Sequence, residues 1–331
     1  MSRPFSDIRS AAIDGRALNP IFRKVQLKQL HDALSDSADA IRNAIASDTG
    51  HTQAEVKTEY WLAMRQLANA YASLDPDKIL HDEYAVSRET SAPDRREAVG
   101  IVVIHPAQHA FFSCLMSALI PALAAGNCVV VQTEQSPLQT PRLVLDLIGN
   151  ALDDHIFHAT QAQVTDSDLA HRHIRVLQNG SDSAHLSHHL VSDPKARVVA
   201  VVERDADLDA AAQDLVKARF ALRGRSPYAP DLVLVNEWVK REFFEHLVRH
   251  AARFSAEQGR APPATSQRLT DLARKEDGVN IFSSSSVGAV VEVQDRLVLP
   301  TSSLCSDTYS VAETLRSCVP RFKRAVCLSM L

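Results

Sequence analysis

Glycine is the scarcest residue relative to expectation: 10 in 331, about 3% where ~7% is usual. Folds that press backbone against a pyrophosphate place glycines where it passes, so the shortage argues against a tight phosphate cradle. Cysteine is sparse too. The five (114, 128, 305, 318 and 327) form no C-x-x-C pair and no metal-ligand spacing, so reduced thiols and a cytoplasmic setting are expected. No apolar run approaches the ~20 residues that span a bilayer, and the opening MSRPFSDIRS lacks the apolar core of a secretion signal. Neither a membrane nor a secreted destination is expected. The chain also lacks a positive excess: its net charge is −4, against the concentrated basic face that nucleic acid requires. What remains is ordinary for a globular protein, 45% hydrophobic and 23% charged, and long enough for two domains.

The pattern begins helical. Leu27, Leu30, Leu34, Ile41 and Ile45 recur at helical spacing over 21–47, with Pro20 before and Gly50 after, and a second helix is expected over 53–74. The charged stretch that follows contains E-Y-A-V-S-R-E, read as an exposed strand or hairpin arm within 79–98. Strands and helices then alternate. Strands are expected at 99–104, 128–132, 173–177 and 198–203, and helices at 110–125, 138–152, 181–191 and 207–223. Aspartates 205, 207 and 209 lie near the start of the last helix, where they suit its cap and dipole. This alternation predicts an α/β fold with a doubly wound parallel sheet. A strand at 232–235, a long helix at 237–256 and strand-like runs within 281–299 complete the pattern.

Four stretches carry a resemblance to the aldehyde dehydrogenase superfamily, its class-three branch above all. They are residues 23–71 with T-E-Y-W in the second helix; A-V-G-I-V-V-I (98–104) leading to L-I-P-A-L-A-A-G-N-C-V-V-V (119–131); E-R-D-A-D-L-D-A-A (203–211); and F-A-L-R-G-R-S-P-Y-A-P-D-L-V-L-V (220–235). The resemblance implies a Rossmann-type domain over 1–204, a shortened catalytic-type domain over 205–305, and a tail or strand over 306–331. In the tail, V-L-P-T-S-S-L (298–304) and P-R-F-K-R-A-V-C-L (320–328) are similar to two family strands. The E-x-F-G-P segment expected between them is missing. An internal deletion near 305–309 and a chance match of an apolar tail both explain this.

Position by position, the resemblance implies a lost oxidation. The family's nucleophilic cysteine position is held by Pro227, flanked by Ser226 and Tyr228. Proline offers no nucleophile, and a serine without an adjacent base is a poor one. The oxyanion-donor position falls on His109, beside Gln108, and a histidine there could act as acid or base. The general-base position falls on Asp193, although Asp-Pro is also an ordinary turn. Gln132 replaces the ribose-binding lysine, Glu134 or Gln135 the neighbouring glutamate, and Gly180 with Ser181 survives from the phosphate turn. Losing one charged ribose contact costs roughly 1.5–3 kcal/mol. No cofactor is therefore expected beyond a vestigial NAD site.

The reading taken first is a repurposed fold. His109 and Asp193 would act as acid and base on a small apolar molecule in the former aldehyde tunnel, lined by Phe111, Phe112 and Tyr228, for a cyclisation, isomerisation or elimination. The rivals are a non-catalytic partner-binding module and a residual oxidoreductase. A homodimer exchanging the 84–89 arm and the terminal strand is also expected. His171, His173, His185, His188 and His189 invite a metal reading, but a solvated histidine-rich helix is preferred and no metal is expected, since no acidic motif completes the set.

Overall fold

The computed structural model describes residues 5–91, 93, 97–179, 188–191, 198–224, 226, 228–230, 232–258, 279–284, 289–293 and 325–329. The chain divides into two compact units, Met1–Pro194 and Lys195–Leu331.

The first unit opens with helices: α1 (Ser6–Asp14), α2 (Pro20–Asp36), α3 (Ala38–Thr49), α4 (Gln53–Ser73) and α5 (Pro76–Glu83). The single helix expected over 21–47 is two, because Ser37 leaves the helical region at φ −100, ψ 15. It sits in the polar run S-D-S-A-D, whose short side chains compete for backbone groups. Helix α4 starts as its sequence dictates. Thr52 and Glu55 form a reciprocal capping box, with Thr52 N–H donating to Glu55 Oε2 at 2.7 Å. The hairpin arm expected from residue 79 is corrected: Asp75 caps α5, Pro76 occupies its first turn, and Val86–Arg88 continue as a 3-10 turn. The Asp-Pro start was the overlooked signal.

Alternation follows through β1 (Ile101–His105), α6 (Phe111–Ala124), β2 (Cys128–Gln132), α7 (Gln139–Ala151), β3 (Phe157–Thr160), the short α8 (Asp166–Leu169), β4 (His173–Leu177) and β5 (His189–Val191). The sheet order is β3-β2-β1-β4-β5, every pair parallel. Its central strands are apolar and buried on both faces, as a sheet covered by helices requires. Residues 189–191, expected as the end of a helix, are an edge strand; the rest of that expected helix, 181–187, lies outside the described residues.

The N-terminal end of β1 is fixed by the A-A-G-N turn. Asn127 Oδ1 accepts from Val99 N–H (2.7 Å) and Gly100 N–H (3.0 Å), while its amide donates to Ala122 O (3.1 Å). Gly100 has φ +124, and an added Cβ would stand 2.8 Å from His171 Nε2 and 2.9 Å from Arg172 O. Only glycine fits there.

The second unit contains β6 (Val199–Val202), α9 (Leu208–Phe220), β7 (Leu232–Val235), α10 (Lys240–Gln258), β8 (Val279–Ser284), β9 (Ala289–Val293) and β10 (Ala325–Ser329). Its sheet order is β6-β7-β10-β9-β8, parallel between β6 and β7 and antiparallel elsewhere. β6 belongs to this sheet, so the division falls ahead of residue 199 rather than at 204. The terminal strand is real: β10 pairs with both β7 and β9. Helices α9 and α10 bury Val216, Phe220, Phe243 and Leu247 beside Val233 and Val235. Asp209 also joins them, accepting from His246 (2.8 Å), His250 (2.9 Å) and Arg249.

Scarce glycine leaves a mark on the backbone. Phe5, Glu89, Ala110, Ala170, Leu222 and Arg223 all occupy positive φ with a Cβ, a conformation that costs roughly 1–2 kcal/mol each.

Candidate functional site

A parallel sheet ordered this way binds ligands outside the carboxyl ends of its strands, where the strand order reverses. In the first unit that point lies between β1 and β4. β1 ends in His105, whose carbonyl accepts from Gln178 N–H at 2.8 Å. Burial pushes the His105 imidazole down to about 4, helped by Arg175 and His189, so the ring is neutral near pH 7. Its Nε2 is buried without a hydrogen-bond partner among the described residues. Gln178 continues the edge through Nε2, which donates to Ser117 Oγ at 3.3 Å.

The sequence-derived candidates distribute around this edge unevenly. Gln108 and Glu134 meet, with Nε2 donating to Oε2 at 2.9 Å. Gln132 is half-buried at the end of β2, and its Oε1 accepts from Val164 N–H at 2.9 Å. Both groups at the expected ribose position therefore have protein partners, and no lysine stands there. These residues do not suit a dinucleotide ribose. His109 is half-buried just before α6, and its carbonyl accepts from Cys114 Sγ at 3.7 Å. The next residue, Ala110, holds φ 48 at the helix N-cap, the kind of local strain that collects at sites.

Phe111 and Phe112 do not line a tunnel. They are 6% and 0% exposed within the core, and Phe112 stacks on Tyr60 with ring centres 5.8 Å apart. Helix periodicity places them inward, since α6 buries nearly its whole length. Tyr228 belongs to the second unit and is 82% exposed. Ser226 Oγ accepts from Tyr228 N–H at 3.2 Å, a serine turn that suits a loop residue. Asp193, Gly180, Ser181 and Pro227 lie outside the described residues.

Cys114 and Cys128 offer no substitute nucleophile. Cys114 is pushed up to about 11 by burial and by neighbouring Glu59, and Cys128 to about 11 by burial and Asp153. The thiolate is the reactive form, so both are inert near neutral pH. Glu59, from the T-E-Y-W stretch, is buried, accepts from Ser113 N–H at 3.4 Å and is itself pushed up by desolvation.

Two features escaped the sequence reading. One is His105, and its position as the last residue of the strand at the crossover was the available signal. The second is a meeting of Asp166, His173 and His188. The carboxylate comes from seven residues upstream of His173, on a short helix the pattern did not reveal.

Known proteins bear on this geometry. The aldehyde dehydrogenase family matches the chain over residues 8–272. The rat protein named "Aldehyde dehydrogenase, dimeric NADP-preferring" is 24% identical over 272 residues, covering 76% of this chain and 59% of that protein. The 4,4'-diaponeurosporen-aldehyde dehydrogenase of Staphylococcus aureus is 22% identical over 303 residues, 85% of this chain and 65% of that one. The chain thus spans roughly three-fifths to two-thirds of the length of these curated relatives. Among solved structures, the substrate-bound state of Staphylococcus aureus AldH superposes with a TM-score of 0.62 at 21% identity, over 85% of this chain and 66% of that one. An NADP complex of glyceraldehyde-3-phosphate dehydrogenase GapN from Methanocaldococcus jannaschii gives 0.63 at 15%, over 84% and 66%. These structural likenesses establish the fold.

Proposed function

The chain belongs to the aldehyde dehydrogenase family, and we propose that it has kept the fold while losing NAD(P)-dependent aldehyde oxidation. In its place the former site carries out a proton-transfer reaction (cyclisation, isomerisation or elimination) on a small apolar molecule. His109 is the acid or base, with Asp193 as its counterpart. The protein is expected to work as a homodimer, in keeping with the dimeric aldehyde dehydrogenase among its relatives, and in the cytoplasm, in keeping with its sparse cysteines.

The observation carrying the proposal is the state of the sulfur. Pro227 holds the position that the resemblance gives to the nucleophile, and Cys114 and Cys128 are each pushed up to about 11, so neither of these two thiols is poised to capture a carbonyl. Two further observations support it. The Gln108–Glu134 pair and the engaged Gln132 amide leave the ribose position without a charged donor. The edge instead carries an imidazole at His109, a side chain suited to proton transfer near neutral pH. Because Phe111 and Phe112 are packed in the core, they contribute rigidity behind His109 rather than a binding wall.

A residual oxidoreductase is the second reading, favoured by the aldehyde dehydrogenases among the relatives. One experiment separates the two. The purified protein is incubated with NAD+ or NADP+ and a panel of aliphatic and aromatic aldehydes while absorbance of the reduced nucleotide is followed. The expected result is no reduction above the no-enzyme rate; turnover that disappears on removing the protein overturns the proposal. If a substrate for the proton-transfer step is found, H109A and D193A should each lower kcat by about 10²–10⁴-fold, and an unchanged kcat would remove those two residues from the mechanism.

A further inference from the structure

We propose that Asp166, His173 and His188 form a binding site for a divalent transition-metal cation of the zinc class, one that pins the edge strand β5 to β4. The three ligand atoms lie within 4.8 Å of one another. Tetrahedral zinc with bonds of 2.0–2.1 Å needs ligand separations of about 3.4 Å, a closure that side-chain rotation alone can supply.

The orientation of His173 suits the purpose. His173 Nδ1 lies 2.9 Å from the carbonyl of His171, and Nε2 lies 3.2 Å from Asp166 Oδ1, where a bound ion would take the place of the proton between them. Anchoring the far nitrogen to a backbone carbonyl is the usual orientation of a metal-ligating imidazole. His188 Nε2 is buried with no hydrogen-bond partner among the described residues, and stands 4.0 Å from Asp166 Oδ2. That is too long for a hydrogen bond and suited to two ligands of one ion.

The scaffold is preformed. Arg175 N–H donates to His188 O at 2.9 Å, and Arg175 pairs with His189 in the β4–β5 ladder. The backbone thus fixes His188 beside His173 before any ion arrives. Arg175 also holds the carboxylate through Oδ1 (2.7 Å), leaving Oδ2 4.0 Å from His188 Nε2. The guanidinium is the unfavourable neighbour, and it selects the ion. With one carboxylate and a nearby positive charge, the site offers little to magnesium or calcium, which need several oxygens. Two imidazoles favour zinc, nickel or copper. Water would complete the coordination. The three residues lie on or beside β4 and β5 and do not include His109, so the proposal does not depend on the reaction proposed above.

The test uses the full chain, free of any histidine tag and stripped of metal. Zinc is titrated calorimetrically, cobalt is used as a visible-absorption probe, and thermal melts are run with and without zinc. Expected are one zinc per chain, an intense cobalt spectrum typical of four-coordination, and a zinc-dependent rise in Tm. H173Q, H188Q and D166N should each weaken binding about tenfold or more and lose the Tm rise, while H246Q on α10 keeps both. Zinc-free melts establish that the variants fold; where one does not, the wild-type cobalt spectrum decides. No zinc binding, a weak water-like cobalt spectrum, or binding unchanged in H173Q and H188Q would overturn the site.

Discussion

The two ends of β1 face different tasks. At its start, Asn127 satisfies two backbone N–H groups and one carbonyl at once, and Gly100 turns where no other residue fits. At its end, five residues away, His105 holds a buried nitrogen unmatched among the described residues, Ala110 sits in left-handed backbone, and Gln108 grips Glu134 at the surface. The first end is a closed hydrogen-bonded turn; the second is a loop that carries strain and an unmatched polar atom. The contrast teaches that within one strand the turn is held by satisfied backbone groups while the loop at the other end is free to carry unsatisfied ones, because stranding two N–H groups costs stability.

Breaking the stable end should have the largest effect. Asn127→Ala strands Val99 and Gly100 N–H and is expected to cost about 3 kcal/mol in urea unfolding; a loss below about 1 kcal/mol would mean water replaces the amide. The functional end should show itself through pH. The folded pKa of His105, about 4, lies below the ordinary 6.5, so the unfolded chain binds that proton more tightly. Stability is complete above 6.5, falls as pH drops through the window, and the loss is finished below about 4. Its size is on the order of 2 kcal/mol, allowing for solvent screening at this partly exposed edge. His105→Phe should flatten the slope, leaving the smaller part due to His189, whose pKa burial also lowers. Ala110→Gly should raise stability by about 0.5 kcal/mol by relieving positive φ, and a loss instead would place that strain elsewhere. Gln108→Ala, at an exposed pair, should change stability by less than about 0.5 kcal/mol.

Much of this architecture could be read without coordinates. Strands 128–132 and 173–177 are where their apolar runs placed them, since buried parallel strands leave little choice of residue. β3 was missed because F-H-A-T carries no periodicity and gains its strand character from pairing with β2. The site was less legible. Phe111 and Phe112 looked like a tunnel wall, and only packing against α4 revealed them as core. The histidine-rich run was set aside for want of an acid, which the fold brings from Asp166.

By itself the sequence determined the family and the α/β alternation, because these follow from local pattern and residue identity. Tertiary structure alone decided which histidines meet a carboxylate, which thiols are buried into inertness, and that the last strand lies between β7 and β9. Those depend on burial and on contacts between residues distant in the chain, and neither quantity is written in any local stretch.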